Sequence, residues 1–452
     1  MQTILPAAAL VDQVVGKQQR TEGQTYRLMT YVTQRPVEDG VLLYHTLTCC
    51  LVLLSQEEYA QLLTQQELIE QWFLVPENHD DRKLCQQIRQ MAQLFMPSAK
   101  TISAFTILPT TGCNARCFYC YEKGTTPVTM TTETASKVVR YILTHRGEEK
   151  VKLRWFGGEP LYNVQVIDQI CSALKTKEVP FKSKMISNGY LFDADMVQRA
   201  KELWQLKNVQ ITLDGREKTY NLVKRYIYDH VNAFERVLNN IELLTAAGIH
   251  VQVRLNVDKH NIEEMLLLLP LLHERFGDNK QLSVYSHELF GERSPEDNAV
   301  LYEQRMQLEQ LIDECGYKRK RGLQKDIKLN HCMADNDNNV IISPAGFLGK
   351  CEHYIDREFF GHIDSEEKDA DTLRRFKERP EEMEACATCP FYPQCFRLVM
   401  CENEVVCTPE RQKENIHNIL EAMKDEYVKY LKKQGNENQN DNENDEEDET
   451  EL

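Results

Sequence analysis

No stretch of this chain approaches the ~20 consecutive apolar residues that a membrane-spanning helix needs, so a spanning segment is not expected. Its start, MQTILPAAALVDQ, has no basic stretch ahead of a short apolar run, which argues against a secretory signal peptide. Positive charge is in short supply: 54 Lys and Arg face 70 Asp and Glu, for a net charge of −16. Nine of those acids lie between Gln434 and Leu452, a segment with no Lys or Arg, which leaves −7 on the rest. A body of that charge has no general basic face, which argues against nucleic acid held through its phosphates. Cysteine is too sparse for a disulfide scaffold, at 15 of 452 residues. The number is odd and the spacing clustered. With no export signal the cytoplasm is the expected compartment, and clustered cytosolic cysteines point to metal or redox chemistry.

What is present reads as a soluble globular chain, 42% hydrophobic and 27% charged, long enough for a sizeable core and several domains. Residues 1–100 read as a small mixed α/β module. Strands are expected over Tyr26–Thr33 and Val41–Ser55, and helices over Gln56–Leu63, Gln66–Phe73 and Arg82–Phe95, the last after the capping-type pair Asp80–Asp81. Such a module serves either peptide recognition or capping of the next domain. Residues 101–315 alternate strand and helix. The expected strands are Ser103–Leu108, Lys152–Phe156, Ser183–Ser187, Val209–Leu213, Val251–Val257 and Gln281–Ser286. The helices between and after them are Thr131–Arg146, Val164–Lys175, Ala194–Leu203, Asn232–Ala247, Ile262–Phe276 and Glu296–Cys315. Six parallel βα units make an α/β fold, either a partial (β/α)6 TIM-like barrel or an open wound sheet. In barrels, chemistry sits on the loops after the strands. Residues 316–410 are irregular and cysteine-rich. Ile416–Lys433, within residues 411–433, is an expected amphipathic helix, and residues 434–452 an expected disordered acidic tail.

Two cysteine clusters carry the chemistry. The first follows the first barrel-type strand as Cys113-x3-Cys117-x2-Cys120. Three thiolates on one short loop can hold three irons of a 4Fe–4S cube and leave the fourth open. Zinc would want a fourth close Cys or His, and none is near in sequence. Tyr119 places a ring just before the last cysteine. Strand ends downstream carry Trp155-Phe156-Gly157-Gly158-Glu159-Pro160, Ser187-Asn188-Gly189, Gln210-Ile211-Thr212-Leu213-Asp214-Gly215 and Arg254-Leu255-Asn256-Val257-Asp258.

This series resembles the radical S-adenosylmethionine enzymes. The cysteine spacing, Gly-Gly-Glu-Pro, Asn-Gly and Asp-Gly elements occur here in that family's order. The resemblance implies a partial barrel in which Cys113, Cys117 and Cys120 hold the cofactor-binding 4Fe–4S cluster. It implies S-adenosylmethionine contacts from Tyr119, Gly157, Gly158, Glu159, Asn188, Thr212, Asp214, Arg225 and Arg254. In the family Gly157 and Gly158 would let backbone approach the methionine end, and Glu159 would accept from its amino group. After Asp214-Gly215 the chain departs from the family's usual His-Asp and Arg. It has Tyr220-Asn221-Leu222-Val223-Lys224-Arg225, so Lys224 and Arg225 both stand as partners for the cofactor carboxylate.

The second cluster is Cys332, Cys351, Cys386-x2-Cys389-x5-Cys395, Cys401 and Cys407. It resembles the SPASM extension of a subset of the same family, whose cysteines bind auxiliary 4Fe–4S clusters. The spacing from Cys395 to Cys401 is wider than usual there, and Cys407 comes sooner. The resemblance implies Cys332, Cys351 and Cys401 in one cluster, with Cys315 or an open site as fourth ligand, and Cys386, Cys389, Cys395 and Cys407 in the other. Two zinc sites are the alternative. Cys49, in an expected strand, and Cys50, Cys85 and Cys171 read as buried small hydrophobes.

The implied activity is reductive cleavage of S-adenosylmethionine to a 5′-deoxyadenosyl radical that abstracts hydrogen from a substrate. Its expected partners are an electron donor such as flavodoxin or ferredoxin and a precursor peptide with a leader sequence. SPASM-bearing relatives mostly modify peptides, and the first 100 residues resemble extensions on maturases of ribosomally made peptides. Some of those carry a winged-helix-like element that takes the leader as an added strand. The leading expectation is thioether or carbon–carbon crosslinking. Formylglycine formation, as in anaerobic sulfatase maturation, is the second enzymatic expectation. An iron–sulfur electron carrier or peptide-presenting scaffold is the non-enzymatic one.

Overall fold

The computed structural model describes the chain apart from residues 96–100, 121, 125, 230–231, 290–293, 318–321, 328, 331, 355, 396, 402–406 and 438–452. Six parallel strands form its centre: β1 (Ala104–Ile107), β2 (Val151–Trp155), β3 (Phe181–Ser187), β4 (Leu206–Leu213), β5 (His250–Val257) and β6 (Leu282–Glu288). They are hydrogen-bonded side by side in chain order. An order that never reverses, joined by right-handed crossovers, puts all helices on one face. That is the wall of a partial barrel, not a doubly wound sheet, whose order reverses.

The helices are α1 (Thr132–His145), α2 (Val164–Thr176), α3 (Ala194–Glu202), α4 (Glu217–Lys224), α5 (Ala233–Ala246), α6 (Ile262–Phe276) and α7 (Pro295–Glu314). Side-chain caps start several of them: Thr131 accepts from Thr134 N, Asp193 from Met196 N and Ser294 from Asp297 N. Such caps contribute about 1 kcal/mol each. Strand alternation then divides inside from outside. On β5, Val251, Val253, Leu255 and Val257 are fully buried in the core under the helices. Gln252, Arg254 and Asn256 face the other way, into the half-barrel. Each fully buried aliphatic side chain stabilises the wall by about 1.5–3 kcal/mol.

The cysteine-rich segment is joined to this wall. Strand β7 (Asn339–Ile342) pairs in parallel with β1 at the sheet's edge, and β8 (Phe347–Gly349) and β9 (Gly361–His362) continue antiparallel.

The N-terminal module departs from expectation in two places. Tyr26–Thr33 is not one strand: Tyr26–Leu28 pairs with Leu74–Pro76, and Val32–Val37 joins a separate four-stranded antiparallel sheet. The break is stabilised by Asp81, which accepts from Thr30 N at 2.8 Å and binds Arg27. Val41–Ser55 is a hairpin, Gly40–His45 with Leu51–Leu54. Cys49 lies in its turn at φ 63°, not in a strand. Gly40 is required there, since a Cβ would meet Leu54 O at 1.8 Å.

The expected C-terminal helix is longer, α8 (Pro409–Glu437), so residues 434–437 are helical. The remainder of the expected acidic tail lies outside the described residues. Ile419, Met423 and Tyr427 of α8 pack against Leu42, Tyr44, Leu51 and Leu53 of the N-terminal sheet. The module also grips the cysteine-rich segment. Arg89, on the helix Asp81–Phe95, donates to Tyr392 O at 2.7 Å and Pro393 O at 2.9 Å. Gln394 Nε2 reaches Tyr44 OH at 2.9 Å and Thr46 O at 3.0 Å.

Candidate functional site

The first three cysteines follow β1 on a loop pinned from both sides. Gly158 N donates to Thr110 O at 3.1 Å and Glu159 N to Gly112 O at 3.0 Å. The two glycines are demanded by this contact. A Cβ on Gly157 would lie 2.3 Å from Thr110 O, and one on Gly158 2.4 Å from Gly112 O. At the end of α4, Lys224 O accepts from Arg116 N at 2.7 Å, and just beyond it Ile227 N donates to Asn114 O at 2.9 Å. Cys113 Sγ accepts from Ala115 N at 3.3 Å, with Asn188 Nδ2 at 3.7 Å. Burial pushes the Cys113 thiol up to about 12, helped by Glu159, Cys117 and Cys120. Burial raises Cys120 too, with Cys117 contributing. The three sulfurs therefore feel one another across the loop. Their conformation is not drawn tight: among the described residues no three His, Cys, Asp or Glu converge as a metal site.

Glu159 is fully buried and occupied by internal donors. Ser187 Oγ donates at 2.9 and 3.1 Å, Asn188 N at 2.8 Å and Leu161 N at 3.2 Å. Burial raises its carboxyl to about 7 against those hydrogen bonds. Here Glu159 ties the end of β2 to the end of β3, a role for Ser187 that the sequence pattern did not reveal.

Between the loop and β4–β5 lies a buried polar cluster. Tyr119 OH donates to Asp214 Oδ1 at 2.7 Å. Lys224 Nζ meets Asp214 Oδ2 at 3.0 Å, Thr212 Oγ1 at 2.6 Å and Tyr119 OH at 3.1 Å. Asn256 Nδ2 lies 3.0 Å from Tyr119 OH and 3.1 Å from Asp214 Oδ1. Lys224 is 2% exposed and Asp214 1%. Burial disfavours the Lys224 charge most strongly, but Asp214, Tyr119, Cys117 and Tyr220 together outweigh it and hold its pKa well above the ordinary value. Arg225, the other candidate, is exposed and takes the left-handed cap of α4 at φ 46°. The geometry thus turns Lys224, not Arg225, into the site. The cause is the helix period: Tyr220 and Lys224, four apart, share the buried face of α4. Arg254 also faces inward, with Nη2 3.0 Å from His287 Nδ1. Burial and the Arg254 charge push His287 down to about 4.

The site is polar enough for a charged ligand. Asn114 Nδ2, Asn256 Oδ1 and Arg254 Nε are buried without a hydrogen-bond partner, the kind of atoms that a bound polar molecule satisfies. Asn114 and Asn256 were not among the expected contacts. Both were visible in the motifs, inside the cysteine spacing and two residues beyond Arg254.

Burial and neighbouring cysteines perturb the later thiols. Burial pushes Cys332 up to about 11 and Cys351 up to about 12, and Cys401 adds to both. Burial raises Cys389 and Cys395 as well, with Cys386 and Cys407 contributing to each. Cys315 belongs to the end of a barrel helix. It caps α7 and packs against the barrel core, its thiol raised by burial and by Glu314. Cys50, Cys85 and Cys171 are buried, as expected, and so is Cys49 in its turn.

Residues 107–271 match the radical SAM superfamily. Over those residues the chain carries a radical SAM domain, that of a superfamily of enzymes whose cofactors are S-adenosylmethionine and a 4Fe–4S cluster. It is 25% identical over 276 residues to GTP 3',8-cyclase of Clostridium perfringens, covering 56% of this chain and 82% of that protein. It is 26% identical over 166 residues to AdoMet-dependent heme synthase of Methanosarcina barkeri, 36% of this chain and 45% of that one. Among solved structures it is similar to anSMEcpe with bound AdoMet, at TM-score 0.55, 16% identity, and 72% and 98% of the two chains. It is also similar to Streptococcus suis SuiB bound to precursor peptide SuiA, at TM-score 0.51, 11% identity, and 82% and 94% coverage. At such identities these two show the fold. Among the described residues no helix is long and apolar enough to cross a membrane.

Proposed function

We propose that this chain is a peptide maturase that crosslinks its substrate through a thioether or carbon–carbon bond. The observation that carries the reading is the convergence of the Cys113–Cys120 loop with the buried Lys224–Asp214–Tyr119 cluster at the carboxyl ends of the strands. Cys113, Cys117 and Cys120 would hold the cofactor cluster. Lys224, Asn114, Asn256 and Arg254 would hold the sulfonium cofactor's polar groups. When bound, the pair supplies a carbon radical able to take hydrogen from an unactivated C–H bond. The chain's own part is to position the substrate carbon and exclude water. The pattern of thiol perturbation supports two auxiliary clusters, on Cys332, Cys351 and Cys401 and on Cys386, Cys389, Cys395 and Cys407.

SuiB, crystallised with a precursor peptide, resembles a larger share of this chain than anSMEcpe with a bound Cp18Cys peptide does, 82% against 74%. Both support a peptide substrate, and crosslinking with a leader-binding role for residues 1–95 is the reading adopted for it. The module's grip on residues 390–394 means that it also roofs the second cysteine group. Cytoplasmic placement and a flavodoxin- or ferredoxin-type electron donor belong to the same proposal. The test is co-expression with a short precursor peptide from the same gene neighbourhood, followed by mass spectrometry. A loss of two hydrogens per crosslink is expected. Formylglycine in the product would move the assignment to the second reading. Absence of 5′-deoxyadenosine from reconstituted protein with dithionite, with and without peptide, would remove both enzymatic readings.

A further inference from the structure

The inner face of the half-barrel carries an arrangement that the cofactor site does not use. On β2, Val151, Leu153 and Trp155 face the helices, so Lys152 and Arg154 face inward. On β3, Phe181 and Met185 face the helices, so Lys182 and Lys184 face inward. The parallel register sets Lys152 directly beside Lys182, and Arg154 directly beside Lys184. Neighbouring strands lie about 4.8 Å apart and two residues rise about 6.6 Å, so four cations stand at the corners of one small rectangle. Like charges placed side by side on a sheet are destabilising.

Glu352 lies 3.3 Å from Arg154. Among the described residues neither Lys152 nor Lys182 forms an ion pair. Lys152 and Lys184 are exposed in mid-sheet, so this part of the concave face is open. All this occurs in a chain of net charge −16. Above the rectangle, toward the cofactor site, Phe156 and Ile186 form an apolar belt with Leu108 and Met333.

We infer that the Lys152, Arg154, Lys182 and Lys184 rectangle binds acidic side chains of the substrate peptide, placing them on the barrel floor while an apolar stretch crosses the belt. This rests on the peptide-maturase reading and names the substrate class for it. A concave sheet face admits an extended segment, not a globular acidic protein. Lys184 is four residues before Asn188, a rise of about 13 Å along β3. Extended peptide covers that in about four residues, so the acidic residue stands about four positions from the carbon attacked.

The test uses the full, iron-reconstituted chain with labelled hexaglutamate, and hexaglutamine as its uncharged twin. Hexaglutamate is expected to bind at least ~10-fold tighter at low salt, and its affinity to fall as salt rises. The double variant Lys152→Gln/Lys182→Gln is expected to lose ~10-fold or more of that affinity and to melt no lower than the parent, because a like-charge pair has gone. Should that variant misfold, Lys182→Gln alone carries the test, with a loss of roughly 3-fold or more expected. Equal binding of the two probes, or unchanged affinity in the folded variants, overturns the proposal. Tighter binding of a hexathymidine oligonucleotide overturns it in favour of a phosphate chain. Binding that emerges only after truncation at Glu437 overturns it in favour of the chain's own acidic tail. If the precursor is crosslinked with unchanged KM in the variant, this proposal fails and the maturase reading stands. If nothing is crosslinked while hexaglutamate still binds through Lys152 and Lys182, the maturase reading fails alone.

Discussion

The two cysteine regions are held in place by different means. The loop of Cys113, Cys117 and Cys120 is fixed by backbone hydrogen bonds donated by Gly158, Glu159 and Ile227 and accepted by Lys224, all on or beside barrel elements. The barrel core beneath it extends through all six βα units. The later cysteines sit among short turns such as Glu384–Thr388 and Tyr392–Gln394. Cys351 and Cys401 pack against a local core of Ala334, Tyr354, Phe376 and Leu398, and Cys386 and Cys389 against the N-terminal module's core, which includes Tyr31, Ile88 and Tyr392. Where the fold supplies the geometry, metal is needed for chemistry alone. Where the local core is as small as that beside Cys351 and Cys401, a bound metal would become part of the fold.

The largest effects should separate these cases. Changing Cys113, Cys117 and Cys120 together to Ala should remove one cluster's iron and all 5′-deoxyadenosine formation, with the melting temperature little changed. Cys389→Ala should lower iron, spare cofactor cleavage without peptide, and open residues 376–401 to protease. Equal protease sensitivity in both variants would erase the distinction. Next comes Lys224→Met, which leaves Asp214 buried without its counter-ion. A loss of about 3–5 kcal/mol is expected in denaturant melts, with loss of S-adenosylmethionine binding by calorimetry. A variant as stable as the parent would place Lys224 outside the buried pair.

Glu159 gives a pH signature of similar size. Its pKa is raised from 4.5 to about 7 by burial. The unfolded chain ionises first, so this group's contribution is full below about 4.5 and is lost as pH rises to about 7. The span corresponds to roughly 3 kcal/mol. Glu159→Gln should flatten the stability profile in that window, and an unchanged slope would assign it to other groups. The smallest expected effect is from Cys315→Ala. Iron content should be unchanged, since Cys315 packs on the barrel core. Loss of iron would return Cys315 to the auxiliary ligands.

Much of this was legible in residue order, for reasons visible at particular positions. Strand alternation such as Val251, Val253, Leu255 and Val257 announces a half-buried wall, and all six expected barrel strands are present within a few residues. Helix α4 was not foreseen, and Lys224 is carried on it. A buried lysine becomes tolerable when Asp214, ten residues away, turns toward it, which local pattern does not encode. The hairpin at Gly40–Leu54 was hidden for a similar reason. Its turn is built from His45–Cys50 with a non-glycine residue at positive φ, and it lacks the usual Gly or Asn signal.

The pairing of β7 with β1 bears on how the chain is made. The first barrel strand begins at residue 104, but the strand that covers its free edge begins at residue 339. At ribosomal speeds of about 5–20 residues per second, that edge waits roughly 10–50 s for its partner. During that interval the strand leading into the cofactor cysteines is an open template for another chain. Synthesis therefore closes the barrel only when the second cysteine region emerges. Metal delivery and chaperone protection have to act on a half-built wall, and overexpression that outruns either would be paid in aggregates seeded at β1.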